Sequence, residues 1–324
     1  MHRIIQNSGS KGRYPGDVIP SKRPRSCLLA LISWVSIKTC GTLPTFCHEA
    51  IPSMRPRRPT VLCLSGHDPT GGAGLQADIE SVRAMGLHPA GLITALTVQD
   101  TVNVQGVFPQ RPEDFLLQGR RLVSDLDVAA IKVGLLGSAE IALAVKELMA
   151  LIGPVPLVLD PILAAGGGED LASYELLEVM LESLVPLTTI ILPNIPEAYR
   201  LTGQATIEAS AADLLRRGAG HVLITGTHLE GVDVMNRWYG PHGVSERAWP
   251  RLPQTYHGSG CTLSAALAAC LAAGLSMAEA IERAETYTYQ SLKEAYPLGH
   301  GQWCPDRTQV GWDVWPRSKE RSFE

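Results

Sequence analysis

Residues 60–85 read TVLCLSGHDPTGGAGLQADIESVRAM, and this stretch decides what kind of fold the chain can adopt. The run 60–64 is short and apolar, as a strand buried on both faces must be. A glycine-rich turn follows over 65–74, and 74–85 predicts a helix. Strand, tight loop and covering helix form the repeating unit of layered α/β proteins.

The alternation continues outward from there. Strands are predicted at 91–96, 129–133, 157–159, 189–192 and 221–225, and helices at 112–122, 139–151, 173–184, 196–201, 209–218, 261–273 and 277–295. Two more strands, 233–239 and 244–249, joined by Gly-Pro-His-Gly, predict a hairpin on the sheet edge. The expected fold is α/β: one domain over residues 59–305, with a central, mostly parallel sheet flanked by helices on both faces. There is no internal repeat and no linker that separates two domains.

At 324 residues, 45% apolar and 19% charged, the chain can bury a full core. The net charge of −4 speaks against a general nucleic-acid binder. The charge is unevenly spread. Residues 1–58 hold ten of the 28 Lys/Arg but only Asp17 and Glu49 of the acids, so the body is acidic and the leader basic.

The apolar run 27–37 in the leader is too short to cross a membrane. Residues 1–53 are expected to be an upstream extension, with translation starting at Met54; a targeting segment is the other reading. Seven cysteines with no CxxC pair indicate neither a disulfide framework nor zinc, and point to a reducing, cytoplasmic setting. The tail, 306–324, either packs on the body or belongs to a dimer contact, and a homodimer is expected.

Two glycine loops carry the candidate chemistry. In the first, His67, Asp68 and Gly66 precede the helix that bears Asp78. Gly72-Ala73-Gly74-Leu75-Gln76-Ala77 matches the loose dinucleotide pattern GxGxxA, although no GK[ST] of a Walker loop follows. The second loop, His257-Gly258-Ser259-Gly260-Cys261-Thr262, enters an apolar helix. Free N–H groups at such a helix start suit an anion such as a transferring phosphoryl group. Cys261 in the first turn would have its thiol pKa lowered there.

Asp160 ends the strand at 157–159, and Asn194-Ile195-Pro196-Glu197 follows the strand at 189–192. Glu197 can serve as a helix-dipole partner, or with Asp160 it can hold a hydrated Mg²⁺ beside nucleotide phosphates.

In this order, LSGHDPTGGAGLQAD, ITALTVQDT, IKVGLLGS, VLDPILAAGGG, LPNIPEA and HGSGCTLSAALAA resemble the hydroxymethylpyrimidine/phosphomethylpyrimidine kinases of thiamine biosynthesis, in the ribokinase-like superfamily. The resemblance covers about residues 60–300. It implies ATP and Mg²⁺ as cofactors, a small pyrimidine substrate, and no nucleic-acid or membrane partner. By the same match, Gln99, Gly66 and Asp78 form the pyrimidine pocket, with the Gln99 amide offering both a donor and an acceptor. Cys261 resembles the catalytic base, with Gly258, Ser259 and Gly260 in the anion loop. Asn194 and Glu197 correspond to an NxxE element that organises Mg²⁺, and Asp160 joins Glu197 on the metal side.

Many members carry Lys-Gly-Gly-His where this chain has Thr225-Gly226-Thr227-His228, so Thr225 would meet ATP phosphates without a charge. Pyridoxal/pyridoxine kinase of the same superfamily is the nearest alternative. The GxGxxA match suggests an NAD-dependent dehydrogenase, which wants an acid near Asp100 but leaves HGSGC and NIPE unexplained. A non-catalytic pyrimidine-binding module is a third option.

Overall fold

Along β1 (Thr60–His67), Val61 and Cys63 enter one apolar core while Leu62 and Leu64 enter the other. Successive side chains of a strand point to opposite faces, so a strand with a core on each side is largely apolar and pairs whatever polar group it buries. The computed structural model describes residues 57–164, 168, 170–308, 311, 312 and 314. The expectations for residues 1–53 lie outside the described residues.

Nine strands form the main sheet in the order β3-β2-β1-β4-β5-β6-β7-β8-β9. They are β1, β2 (His88–Gln99), β3 (Val104–Pro109), β4 (Val128–Val133), β5 (Leu157–Leu159), β6 (Ile190–Ile191), β7 (Val222–Ile224), β8 (Asp233–Gly240) and β9 (Gly243–Pro250). From β2 to β7 all neighbours are parallel; β3, β8 and β9 join antiparallel at the edges.

One core lies under α2 (Pro112–Val123), α3 (Ala139–Ile152), α4 (Tyr174–Val179), α5 (Ile195–Thr202) and α6 (Ile207–Arg216). The other lies under α1 (Gly74–Ala84), α7 (Ser259–Ala272) and α8 (Met277–Lys293). Every residue of α7 from Cys261 to Cys270 is buried, and its alanines let it lie close to both the sheet and α1. No helix among the described residues is long and apolar enough to cross a membrane.

The expected α/β architecture and edge hairpin are present, with two differences, and one of the two readings of the tail is met. The second strand runs on to Gln99 and turns back as β3, which was not anticipated. Asp100 makes that turn, accepting the N–H groups of Val102 and Asn103, so its carboxylate serves the loop and not a ribose. The helix expected over 173–184 is α4 continued by a π turn, Met180–Leu184, and a 3-10 turn, Val185–Leu187, where Pro186 ends it. Finally, the described part of the tail packs on the body. Val314 N–H donates to Met85 O at 3.0 Å, and Trp312 meets the Tyr287 ring edge-on. A short ladder of β10 (Tyr296–Pro297) and β11 (Trp303–Cys304) leads into it.

β1 pairs with β2 on one side and β4 on the other, so the winding direction reverses there. At such a reversal an open α/β sheet leaves a crevice beyond the carboxyl ends of its strands.

Candidate active site

Four of the expected site segments stand at these carboxyl ends: Gly66 in β1, Asp160 after β5, Asn194 after β6 and Thr225 after β7. Asn194 and Thr225 are bridged as parallel neighbours, which brings the NxxE segment beside the loop that follows β7.

The two glycine loops meet across the crevice. Gly258 is the N-cap of α7 at φ 75°, a left-handed conformation in which a Cβ would strike the Gly72 carbonyl oxygen. Gly74 is equally constrained, since a Cβ there would strike Gly66 O. The helix begins at Ser259, two residues earlier than expected, so Gly258, Ser259, Gly260 and Cys261 occupy N-cap to N3. No side chain caps α7, and the N–H groups of its first turn have no intrahelical acceptor. Unsatisfied donors at such a helix start suit an anion.

Cys261 is buried at this turn, where the Gly74 N–H of the other loop acts on its thiol. Its pKa runs against the expectation of a lowered value. Burial pushes the thiol up to about 12, and Lys132 with the Gly74 N–H only partly offsets this. Desolvation outweighs the positive helix end.

Beneath Cys261 lies an ion pair. Lys132 Nζ is 2.8 Å from Asp78 Oδ1 and donates to Ser65 Oγ at 3.1 Å, while Ser65 Oγ donates to Asp78 Oδ2 at 2.5 Å. Burial would lower the ammonium pKa, but Asp78, Cys261 and Asp160 raise it, so Lys132 stays charged. Asp78 was expected in the wall of the pyrimidine pocket. Its carboxylate is fully buried and taken up by Lys132 and Ser65, so in this structure it faces the ion pair and no open surface. Lys132 itself was not singled out from sequence. The signal was there: Ile131 and Val133 face one core, so Lys132 faces the other, at a position that only an apolar or charge-paired side chain can fill.

Asp160 receives Ser264 Oγ at 3.0 Å, and Gly260 passes over it, close enough that a Cβ would come within 3.7 Å of Oδ2. Burial raises the Asp160 pKa, with Lys132 and Ser264 opposing. Glu197 completes a capping box on α5: Asn194 Oδ1 accepts the Glu197 N–H, and Glu197 Oε2 accepts the Asn194 N–H, both at 2.9 Å. Burial and the Asp160 charge push Glu197 up to about 8.

Two buried carboxylates that resist ionising side by side are a donor set that a divalent cation would relieve. Among the described residues no group of three or more His, Cys, Asp or Glu could hold a metal ion.

Gln99 ends β2, where its Nε2 donates to Thr97 Oγ1 at 2.7 Å and Thr97 Oγ1 donates to His67 O at 2.9 Å. It lines a cleft of about 470 Å³ with Thr70, Asp100, Thr101 and Leu298. Asp68 ties the loops together from the other side. Its carboxylate accepts the Ala73 N–H at 2.8 Å and lies 2.8 Å from His257 Nε2. Burial alone would raise its pKa, but bonds from His257 and Thr70 hold it below the usual carboxylate value.

Residues 68–306 match the family described as Phosphomethylpyrimidine kinase. The chain belongs to this family. It is therefore a kinase, and its ordered motifs are those of the phosphomethylpyrimidine kinases. It is 36% identical over 254 residues to the hydroxymethylpyrimidine/phosphomethylpyrimidine kinase of Streptomyces coelicolor, covering 75% of this chain and 92% of that one. The thiamine biosynthesis bifunctional protein ThiED of Geobacter sulfurreducens is 36% identical over 250 residues; the match covers 75% of this chain and 51% of that longer protein. In fold, the chain is similar to Staphylococcus aureus pyridoxal kinase in complex with AMP-PCP and pyridoxal. The TM-score is 0.72 at 27% identity, covering 78% of this chain and 94% of that chain. The ribokinase-like fold and the use of ATP follow from these likenesses.

Proposed function

We propose that this kinase transfers the γ-phosphoryl group of ATP to the hydroxymethyl oxygen of 4-amino-5-hydroxymethyl-2-methylpyrimidine, and then to the resulting monophosphate. The observation that carries the reading is that Cys261, Gly74 and the free N–H groups of Gly258 to Cys261 come together where the two glycine loops meet. The Gln99 amide offers the pyrimidine one donor and one acceptor.

In the transfer the substrate oxygen bonds to the γ-phosphorus, the bond to the β-phosphate oxygen breaks, and ADP leaves. The hydroxyl proton passes to Cys261 as thiolate, and the Lys132 ammonium below favours that ionised form. The N–H groups of the anion loop stabilise the charge on the transferring phosphoryl group. Asp160 and Glu197 would hold Mg²⁺, which would supply neutralisation of phosphate charge. Thr225 and Asn194 border the nucleotide, Thr225 by hydrogen bonding alone.

A homodimer belongs to the same proposal. Leu96 and Phe108 are cross-strand partners on β2 and β3, 42% and 59% exposed, and a second copy would cover them. A cytoplasmic setting is supported by the four described cysteines, all free thiols.

The fold likeness to pyridoxal kinase makes pyridoxal the second substrate to test. The experiment is ADP release with hydroxymethylpyrimidine, its monophosphate and pyridoxal offered separately. Turnover of both pyrimidines supports the proposal, and turnover of pyridoxal alone reassigns the substrate. Turnover of none leaves the site without the proposed acceptors.

A further inference from the structure

Arg307 is the residue that follows the family match, in the segment that the sequence reads as a tail. Its side chain nevertheless heads the large side chains that are fully buried among the described residues. The guanidinium has three partners. Nε donates to Thr262 Oγ1 at 2.8 Å, Nη1 lies 3.2 Å from Glu80 Oε2, and Nη2 donates to the Gly72 carbonyl. Thr262 passes the connection on, its Oγ1 donating to Gly258 O at 2.8 Å.

Gly72 belongs to the first glycine loop and Gly258 to the anion loop. They touch where Arg307 sits, since a Cβ on Gly258 would come within 2.8 Å of its Nη2. The Arg307 backbone is anchored as well. Tyr287 Oη donates to Arg307 O at 3.0 Å, and Asp306 N–H donates to Ser291 O at 2.9 Å.

We infer that Arg307 is a positioning residue for phosphoryl transfer: it fastens the pyrimidine-side loop to the anion loop and holds Gly74 against Cys261. What the loops do rests on the kinase reading above; the fastening itself does not. The planar fork matters because its N–H groups must reach a hydroxyl, a carbonyl and a carboxylate that lie in different directions. A lysine ammonium has the charge without the fork. A buried arginine that only filled space would need no partner in both loops.

The test uses the full chain and its Arg307→Ala, Arg307→Lys and Thr262→Val variants. Hydrogen–deuterium exchange reads the loops without any substrate. Arg307→Ala should speed exchange in peptides that contain Gly72–Gly74 and Gly258–Thr262 while the sheet strands keep their protection. In turnover assays Arg307→Ala should lose kcat by about ten- to a hundred-fold, as expected for a displaced catalytic geometry, with pyrimidine KM changed less than about three-fold.

Guanidinium ion, at concentrations that leave the wild type unaffected, should restore part of the rate to Arg307→Ala. Arg307→Lys should recover less than half of the loss. Thr262→Val removes one acceptor with little change of volume, so it carries the test should Arg307→Ala not fold, and should show the same exchange pattern to a smaller degree. Unchanged exchange in both loops overturns the inference, as does a folded variant whose lost rate guanidinium does not restore. If the wild type turned over no pyrimidine, the substrate reading would fail, and the exchange measurement would still decide whether Arg307 fastens the loops.

Discussion

Lys132 Nζ lies 2.8 Å from the Asp78 carboxylate, and neither side chain reaches solvent. This pair joins β4 to α1 directly under Cys261 and Ser65. A buried charge that loses its partner destabilises far more than the intact pair stabilises. Lys132→Met should therefore lower unfolding free energy by about 3–5 kcal/mol, read from denaturant midpoints. The double variant Lys132→Met/Asp78→Asn should regain most of that loss. A double variant no better than the single one would mean that the pair is not the source.

Cys261 gives a pH prediction. Its thiol is pushed up to about 12 by burial, so at neutral pH only a small fraction is thiolate. If the thiolate takes the substrate proton, kcat should climb steadily between about pH 7 and 9, because each unit releases more of the ionised form. Cys261→Ala should abolish transfer while pyrimidine binding, followed by calorimetry, stays within about three-fold of wild type. A flat wild-type profile, or near-normal turnover by the alanine variant, would remove Cys261 as the base.

Gln99→Leu takes the amide from the cleft and leaves a branched apolar side chain one atom shorter. The pyrimidine would then lose both hydrogen bonds, and its KM should rise about ten-fold or more with ATP KM unaffected. An unchanged pyrimidine KM would move the pocket elsewhere.

Glu197 links stability to pH through its raised value of about 8. The folded state holds this proton where the unfolded chain has released it, so the stabilisation is full below the ordinary carboxylate pKa. It is lost as pH rises from about 4.5 to about 8. Melting temperature should fall across that window, and Glu197→Gln should flatten the slope while keeping the helix cap. Added Mg²⁺ should raise the melting temperature more at the alkaline end, where the carboxylates it would bind are ionised. Equal Mg²⁺ effects at both ends would speak against Asp160 and Glu197 as its ligands.

Much of the layer architecture was legible because Val61–Leu64 of β1, most of β4 and all of β5 are apolar, as a sheet covered on both faces requires. The glycine-rich helix start was legible because Gly258 and Gly260 fall at the opening of an apolar helix. β3 was not, because its residues are largely exposed and its pairing depends on the turn at Asp100. The direction of the Cys261 shift was misread because local position shows the helix end and hides the depth of burial, which here is the larger effect. Asp78 was placed in the pocket because nothing in a linear chain joins residue 78 to residue 132. Arg307 escaped for the same reason, lying 235 positions from the carbonyl it holds.

That separation bears on how the site comes into being. A contact spanning 235 residues closes one of the longest loops the chain can form, and such contacts form after local ones in folding. The sheet, its helices and both glycine loops are complete in sequence before Arg307 is reached. During vectorial synthesis, then, the scaffold can assemble while the two loops are still unfastened, and the site acquires its final shape when the last segment docks.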